Sequence, residues 1–153
     1  MADSRFVYVI YIRTTPEKLW EALTRPEFTR QYWCATHQEC AWKPGAAWKM
    51  MIPDGRVADA GEVVEIDPPR KLMLKWRNEF LPELRAEGYS RMTYELEPRG
   101  DAVKLTVIHE MDRPESVFIE KISSGWPPIL SSLKSLLETG TPLEETARWP
   151  KGM

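Results

Sequence analysis

The end of the chain carries the feature that most limits what it can fold into. Trp126, Ile129, Leu130, Leu133, Leu136 and Leu137 recur at i, i+3/i+4 and i+7, with Ser131, Ser132, Lys134, Ser135 and Glu138 between them. That spacing puts the apolar side chains on one stripe of a helix and leaves the opposite side polar. Gly125-Trp126-Pro127-Pro128 reads as its opening, because proline in a first turn gives up only an amide that has no intrahelical partner. Gly140 reads as its stop. A lone amphipathic helix must bury its stripe against something, so the segments before it decide the fold.

Those segments are mostly β in pattern. Residues 5–13 are nearly all β-branched or aromatic. Thr15 then offers an N-cap and Pro16 a first helical residue, with Leu19, Trp20 and Leu23 as the apolar stripe. Pro26 restarts the chain into a second short helix carrying Phe28, Tyr32 and Trp33. Residues 34–44 show no period and are expected to be a loop. Strands are expected over 46–52 and 56–66, around the turn Pro53-Asp54-Gly55, with Gly61 marking a bulge or bend. Asp67-Pro68-Pro69-Arg70 closes the second of them, since proline cannot donate to a ladder. Leu72, Leu74 and Trp76, then Met92, Tyr94 and Leu96, then Val103, Leu105, Val107, His109 and Met111 alternate with polar or outward residues as half-buried strands do. Residues 79–87 are expected to be a loop with Glu79, Glu83 and Glu87 solvated, and 141–153 a loose tail after a single domain over 1–140. The order is β, α, α, five β, α. It predicts an α+β fold in which a curved six-stranded antiparallel sheet takes the terminal helix as its cover. One helix does not fill the concavity of a bent sheet, so a pocket is expected between them.

Charge and length exclude several classes. The 153 residues suit one domain with a real core. Lys+Arg is 21 against Asp+Glu 23, a net charge of -2, which argues against a nucleic-acid partner. The apolar run at Phe6–Ile12 is too short for a signal core or a membrane span, so no membrane partner is expected. Two cysteines, Cys34 and Cys40, are too few for a disulfide framework and predict a reduced, cytoplasmic protein with free thiols. Cys34, His37 and Cys40 lie within seven residues, a spacing that fits no zinc pattern, so no metal is expected. No phosphate-cradling glycine loop, nucleophile elbow or zincin motif is present, and no cofactor is expected.

Several motifs stand in order along the chain: Pro16-Glu17-Lys18-Leu19-Trp20-Glu21-Ala22-Leu23-Thr24, Pro44-Gly45, Pro53-Asp54-Gly55, and Gly61-Glu62-Val63-Val64-Glu65-Ile66-Asp67-Pro68-Pro69-Arg70-Lys71-Leu72 with Trp76 after it. Gly125-Trp126, Leu130, Leu133 and Leu137-Glu138-Thr139-Gly140 complete the set. Together they resemble the helix-grip fold of the START-like superfamily, and within it the family named for the activator of the heat-shock-protein-90 ATPase. The likeness runs over about residues 5–140. Ala46 stands where a second glycine usually follows Pro44-Gly45. The resemblance implies a long C-terminal helix gripped by the sheet and a ligand-holding cavity between them. The eukaryotic activators carry a second domain, which this sequence does not show.

The candidate site residues follow from placement. Trp33, Trp76, Trp126 and Tyr94, with Trp48, supply aromatic walls or ordinary core. The 7 tryptophans exceed what such a core needs, so some are expected to line a cavity. Met50 and Met92, like Met51, Met73 and Met111, lie in strands, where methionine adapts to irregular contents or fills gaps. Ile129 and Leu130 face the sheet from the helix stripe. His109 falls in phase with the buried side of its strand and could orient a ligand or transfer protons, or could simply be a hydrogen-bonded core residue. Glu62 could turn inward or face solvent, depending on the register across Gly61. Three readings follow. The favoured one is a small-molecule-binding protein for a hydrophobic or aromatic ligand. The second is an enzyme using His109 with Tyr94 or Glu62. The third is an interaction module, a co-chaperone-like partner or a homodimer built on Val7, Val9 and Tyr11.

Overall fold

The computed structural model describes residues 3–153. The aromatic and β-branched N-terminal segment forms β1 (Ser4–Ile12). The Thr15 hydroxyl caps α1 (Pro16–Thr24) by accepting from the Lys18 amide at 3.2 Å, with Pro16 in the first turn. α2 (Pro26–Tyr32) follows at once. The other strands are β2 (His37–Cys40), β3 (Ala47–Met51), β4 (Val57–Asp67), β5 (Lys71–Asn78), β6 (Ser90–Arg99) and β7 (Ala102–Met111). They form one antiparallel sheet in the order β1-β7-β6-β5-β4-β3-β2. The chain therefore meanders from β2 to β7, and α1 and α2 carry it from the β1 edge to the β2 edge.

The sheet has seven strands rather than the expected six. The added one, β2, was hidden because its inward residue is polar. Gln38 is buried, donates to the Leu23 carbonyl at 2.7 Å and accepts from the Trp48 indole at 2.9 Å. Both ends of that amide are satisfied, so it ties α1 to β3 without apolar alternation.

The C-terminal helix also begins earlier than the sequence suggests. α4 runs Val117–Thr139, and Pro127 and Pro128 lie inside it. Its start is fixed by Ser116, whose hydroxyl accepts from the Ile119 amide at 3.1 Å. Glu87, from the segment before β6, adds a carboxylate that accepts from the Val117 amide at 3.0 Å and from the Ser116 hydroxyl at 2.6 Å. An acid at the positive end of a helix is favourable. The internal prolines withhold the amides that the Ser123 and Ser124 carbonyls would use. Residues 79–87 hold one helical turn, α3 (Pro82–Arg85). Glu79 there is not solvated as expected but forks onto Arg77, with its side chain only 16% exposed.

The core lies between α4 and the concave face of the sheet. Ile12, Leu72, Leu74, Tyr94, Leu105 and Val107 from the sheet meet Trp126, Leu130 and Leu133 from the helix, all buried. Residues 141–153 fold back as well. The Leu143 amide donates to the Ser132 hydroxyl at 2.9 Å, the Cys34 amide donates to the Thr146 carbonyl at 2.7 Å, and Trp149 packs edge-on to Phe80 at 5.4 Å. Among the described residues no helix is long and apolar enough to cross a membrane.

Candidate functional site

An open space remains at one end of the core, beneath the N-terminal half of α4. Its volume is about 420 Å³, within the range of small-molecule pockets. α4 contributes Phe118, Ile122, Trp126 and Ile129; β4 and β5 contribute Asp59, Trp76 and Asn78. The turn carrying α3 adds Phe80, Leu81 and Leu84, and Trp33, Cys34 and Trp149 close the remaining side. A larger depression, about 560 Å³, lies between the starts of β1 and α4, but Ser4, Arg5, Glu115, Glu120 and Ser123 make its walls polar. The apolar space is the better candidate because burying carbon surface is what drives uptake of a small ligand.

Trp76 is the hub of its walls. Its ring lies 4.5 Å from Trp48, 5.9 Å from Trp126 and 6.0 Å from Trp33 between centroids. Trp33 and Trp126 meet edge-on at 5.2 Å. Such pairs contribute roughly 0.5–1.5 kcal/mol each beyond area burial and hold the rings in fixed orientations.

Behind that wall runs a chain of hydrogen bonds. The Trp126 indole N–H donates to His109 Nδ1 at 3.2 Å. The imidazole proton therefore sits on Nε2, which donates to the Ser90 hydroxyl at 2.8 Å. Ser90 donates onward to the Trp76 carbonyl, also at 2.8 Å. His109 is fully buried, and burial lowers its pKa from 6.5 to about 3. It is a neutral residue with both nitrogens committed, and it positions two of the tryptophans rather than facing the open space. Glu62, its suggested helper, points the other way and pairs with Lys75 at 3.1 Å on the outer face. Tyr94 is buried beside Trp126, and its hydroxyl has no hydrogen-bond partner among the described residues.

Asp59 brings a side-chain carboxyl to the cavity wall. Burial pushes it up to about 7; the Trp76 N–H opposes the rise and the charge of Glu79 adds to it. The Trp76 N–H leans toward that carboxyl without closing a hydrogen bond, and it has no other partner among the described residues. Cys34 is held as a thiol, since burial raises its pKa.

Of the nine residues expected to contact a ligand, Trp33, Trp76, Trp126 and Ile129 line the cavity. Met50, Met92, Tyr94, His109 and Leu130 are packed behind it and are at most 1% exposed. The centre of the concavity is filled, and the space opens only toward the end where β4 and β5 meet the start of α4. Sequence reasoning missed Asp59, Asn78, Phe80, Phe118 and Trp149. Two signals were present: an acid inside the apolar run Val57-Ala58-Asp59-Ala60, and a tryptophan in an otherwise polar tail.

The chain's relatives agree with this architecture. A Plasmodium falciparum protein described as an HSP90 activator shares 24% identity, with 88% of this chain and 96% of that chain covered and a TM-score of 0.70. The Aha1 dimer from Colwellia psychrerythraea shares 20% identity over 89% of this chain and 97% of that one, with a TM-score of 0.71. DynU16, a protein of the dynemicin biosynthetic locus, shares 23% identity over 96% of this chain and 50% of that one, with a TM-score of 0.73. At these identities the likeness speaks for the fold. No curated protein matches the chain. The family model for activator of Hsp90 ATPase homolog 1-like proteins matches residues 13–138, and with the helix-grip architecture in place the chain belongs to that family.

Proposed function

We propose that this chain is a small-molecule-binding protein that holds an apolar or aromatic ligand between α4 and the sheet. The observation that carries the reading is the 420 Å³ space walled by Trp33, Trp76, Trp126, Phe80, Phe118 and Trp149. Rigid aromatic walls lose little entropy on binding, and a largely preformed site costs little to organise. The relative from a biosynthetic locus is in keeping with a metabolite ligand. The free thiols of Cys34 and Cys40 suit a reduced, cytoplasmic setting. Thermal unfolding in the presence of a library of aromatic and lipid-like compounds tests the reading. A ligand at a hundred times its Kd adds about 2.7 kcal/mol. That should raise Tm by roughly 5–10 °C, and native mass spectrometry should show the same compound bound. A melting point unmoved by every compound would sink the reading.

A second copy of the chain is a further partner. Val7, Val9 and Tyr11 are 44–47% exposed on the outer face of β1, an edge strand. The Colwellia relative is described as a dimer. Sedimentation equilibrium should show association at tens of micromolar that Val9→Lys abolishes; a monomer at all concentrations rejects it.

A further inference from the structure

Asp59 is the one side-chain carboxyl among the residues that line the cavity, and it stands on β4 as the cross-strand partner of Asn78. A carboxylate held away from water is ordinarily met by a cation or by several donors. Nothing among the described residues completes that set. The Trp76 N–H leans toward Asp59 without closing a hydrogen bond, and the carboxyl oxygens, unlike the indole nitrogens of Trp76 and Trp149, are not sealed from the space. Asn78 spends its carboxamide oxygen on the Leu81 amide at 2.9 Å. The nearby guanidiniums are committed to another acid: Arg77 forks onto Glu79, and Arg85 lies 3.7 Å from the same carboxylate. Lys121, on α4, stands exposed at the rim. Burial holds Cys34 as a neutral thiol, and Arg56 takes the Met153 carbonyl at the tail. The rest of the wall is largely aromatic, with Trp33, Trp126, Phe80, Phe118 and Trp149. The faces of such rings attract a cation, most strongly where water is excluded.

We infer that the cavity selects aromatic ligands that carry an ammonium group, with Asp59 as the counter-charge and the ring faces as the wall around the cation. The inference rests on the small-molecule reading and narrows it to a ligand class. An ammonium supplies the partner that the chain withholds from this carboxyl. Without one, desolvation keeps the proton on Asp59 up to about pH 7. An incoming cation favours the ionised form, so its binding is linked to release of that proton. A hydrocarbon of the same shape gains the apolar contacts and nothing from the carboxyl.

Benzyltrimethylammonium and neopentylbenzene have nearly the same shape and differ by a cationic nitrogen in place of a carbon. The quaternary ammonium does not titrate, so any pH dependence of its binding belongs to the protein. Binding of each probe to the full chain is followed by tryptophan fluorescence at pH 5.5 and 7.5. Between these values the wild type should gain about tenfold in affinity for benzyltrimethylammonium, as Asp59 ionises near pH 7, while His109 stays neutral throughout. Its affinity for neopentylbenzene should change less than twofold. Asp59→Asn, which keeps the size of the side chain, should cost the ammonium probe at least tenfold at pH 7.5 and flatten its pH profile. The same variant should bind neopentylbenzene within twofold of the wild type. The wild-type profile reports without any substitution. Binding of the hydrocarbon alone, or an ammonium affinity that Asp59→Asn leaves intact, overturns the inference while the small-molecule reading stands. A loss shared equally by both probes makes Asp59 a structural residue and also overturns it. No binding of either probe removes the inference and counts against the cavity as a ligand site.

Discussion

Gly61→Ala should cost the protein its folded state, or at least about 3 kcal/mol of stability, as a forced backbone clash does when a packed core cannot yield. A β-carbon at Gly61 would stand 1.8 Å from the Lys75 carbonyl oxygen and 2.6 Å from its carbon, on the neighbouring strand β5. Ordinary contact is near 3.5 Å, and the obstacle is backbone, which has no rotamer to move away. The strands would have to part, and the damage would reach the site. Gly61 is the cross-strand partner of both Trp48 and Trp76, whose rings meet at 4.5 Å. Parting β4 from β5 pulls the hub tryptophan off its neighbours. Gly125→Ala is the contrast. A β-carbon there meets nothing within 4 Å, and the residue sits inside α4, where alanine is better than glycine by about 1 kcal/mol. Urea unfolding should show one variant grossly destabilised and the other slightly stabilised. Similar midpoints for Gly61→Ala and the wild type would mean that the approach of β5 does not define the curvature of this sheet.

The same glycine shows what the sequence made legible. Its place inside an apolar strand pointed to a bulge or bend there; the ladder instead runs regularly through Gly61, the β4 irregularity falls between Val63 and Glu65, and the glycine serves the close approach of β5. The ordered turns pointed to an antiparallel meander under one helix. Both are backbone matters that glycine and proline announce locally. What stayed hidden was supplied from a distance. Pro127 and Pro128 are read as a helix start because that is where proline costs least, but Ser116 and Glu87 cap α4 ten residues earlier, and Glu87 comes from before β6. β2 has no apolar alternation because Gln38 is satisfied by Leu23 and Trp48. The site was only half legible for a related reason. Periodicity says which side chains face the core, and Met50, Met92, Tyr94, His109 and Leu130 do face it. It does not say where the core stops being filled. That depends on how α3 and the returning tail close over the end of the sheet, and Phe80 and Trp149 lie in the segments with the least periodic sequence.

Asp59→Asn should change the pH dependence of stability more than any other single substitution of a titrating residue on the cavity wall. In the folded chain Asp59 holds its proton up to about pH 7, whereas an unfolded aspartate releases it near 3.9. Between those values the native state carries a proton that the unfolded state lacks, so stability falls as pH rises, by about 1.4 kcal/mol per pH unit. His109 acts in the opposite sense. It stays neutral when folded down to about pH 3 and takes up a proton near 6.5 when unfolded. Its contribution is fully present above 6.5 and is lost as pH falls toward 3. From about pH 4 to 6.5 the two slopes cancel in the wild type. The asparagine variant keeps only the histidine slope, so its stability should climb by about 3 kcal/mol across that window. Above pH 7 it should exceed the wild type by about 2–4 kcal/mol, because the wild type then carries an ionised carboxylate against Trp76 and beside Glu79. Urea unfolding of both proteins at pH 4.5, 6.5 and 8 measures this, and the difference between the two curves cancels every group they share. A difference that does not grow with pH would show that Asp59 ionises freely in the folded chain. The cavity wall would then carry a charge at neutral pH, and its polar corner would be open to water.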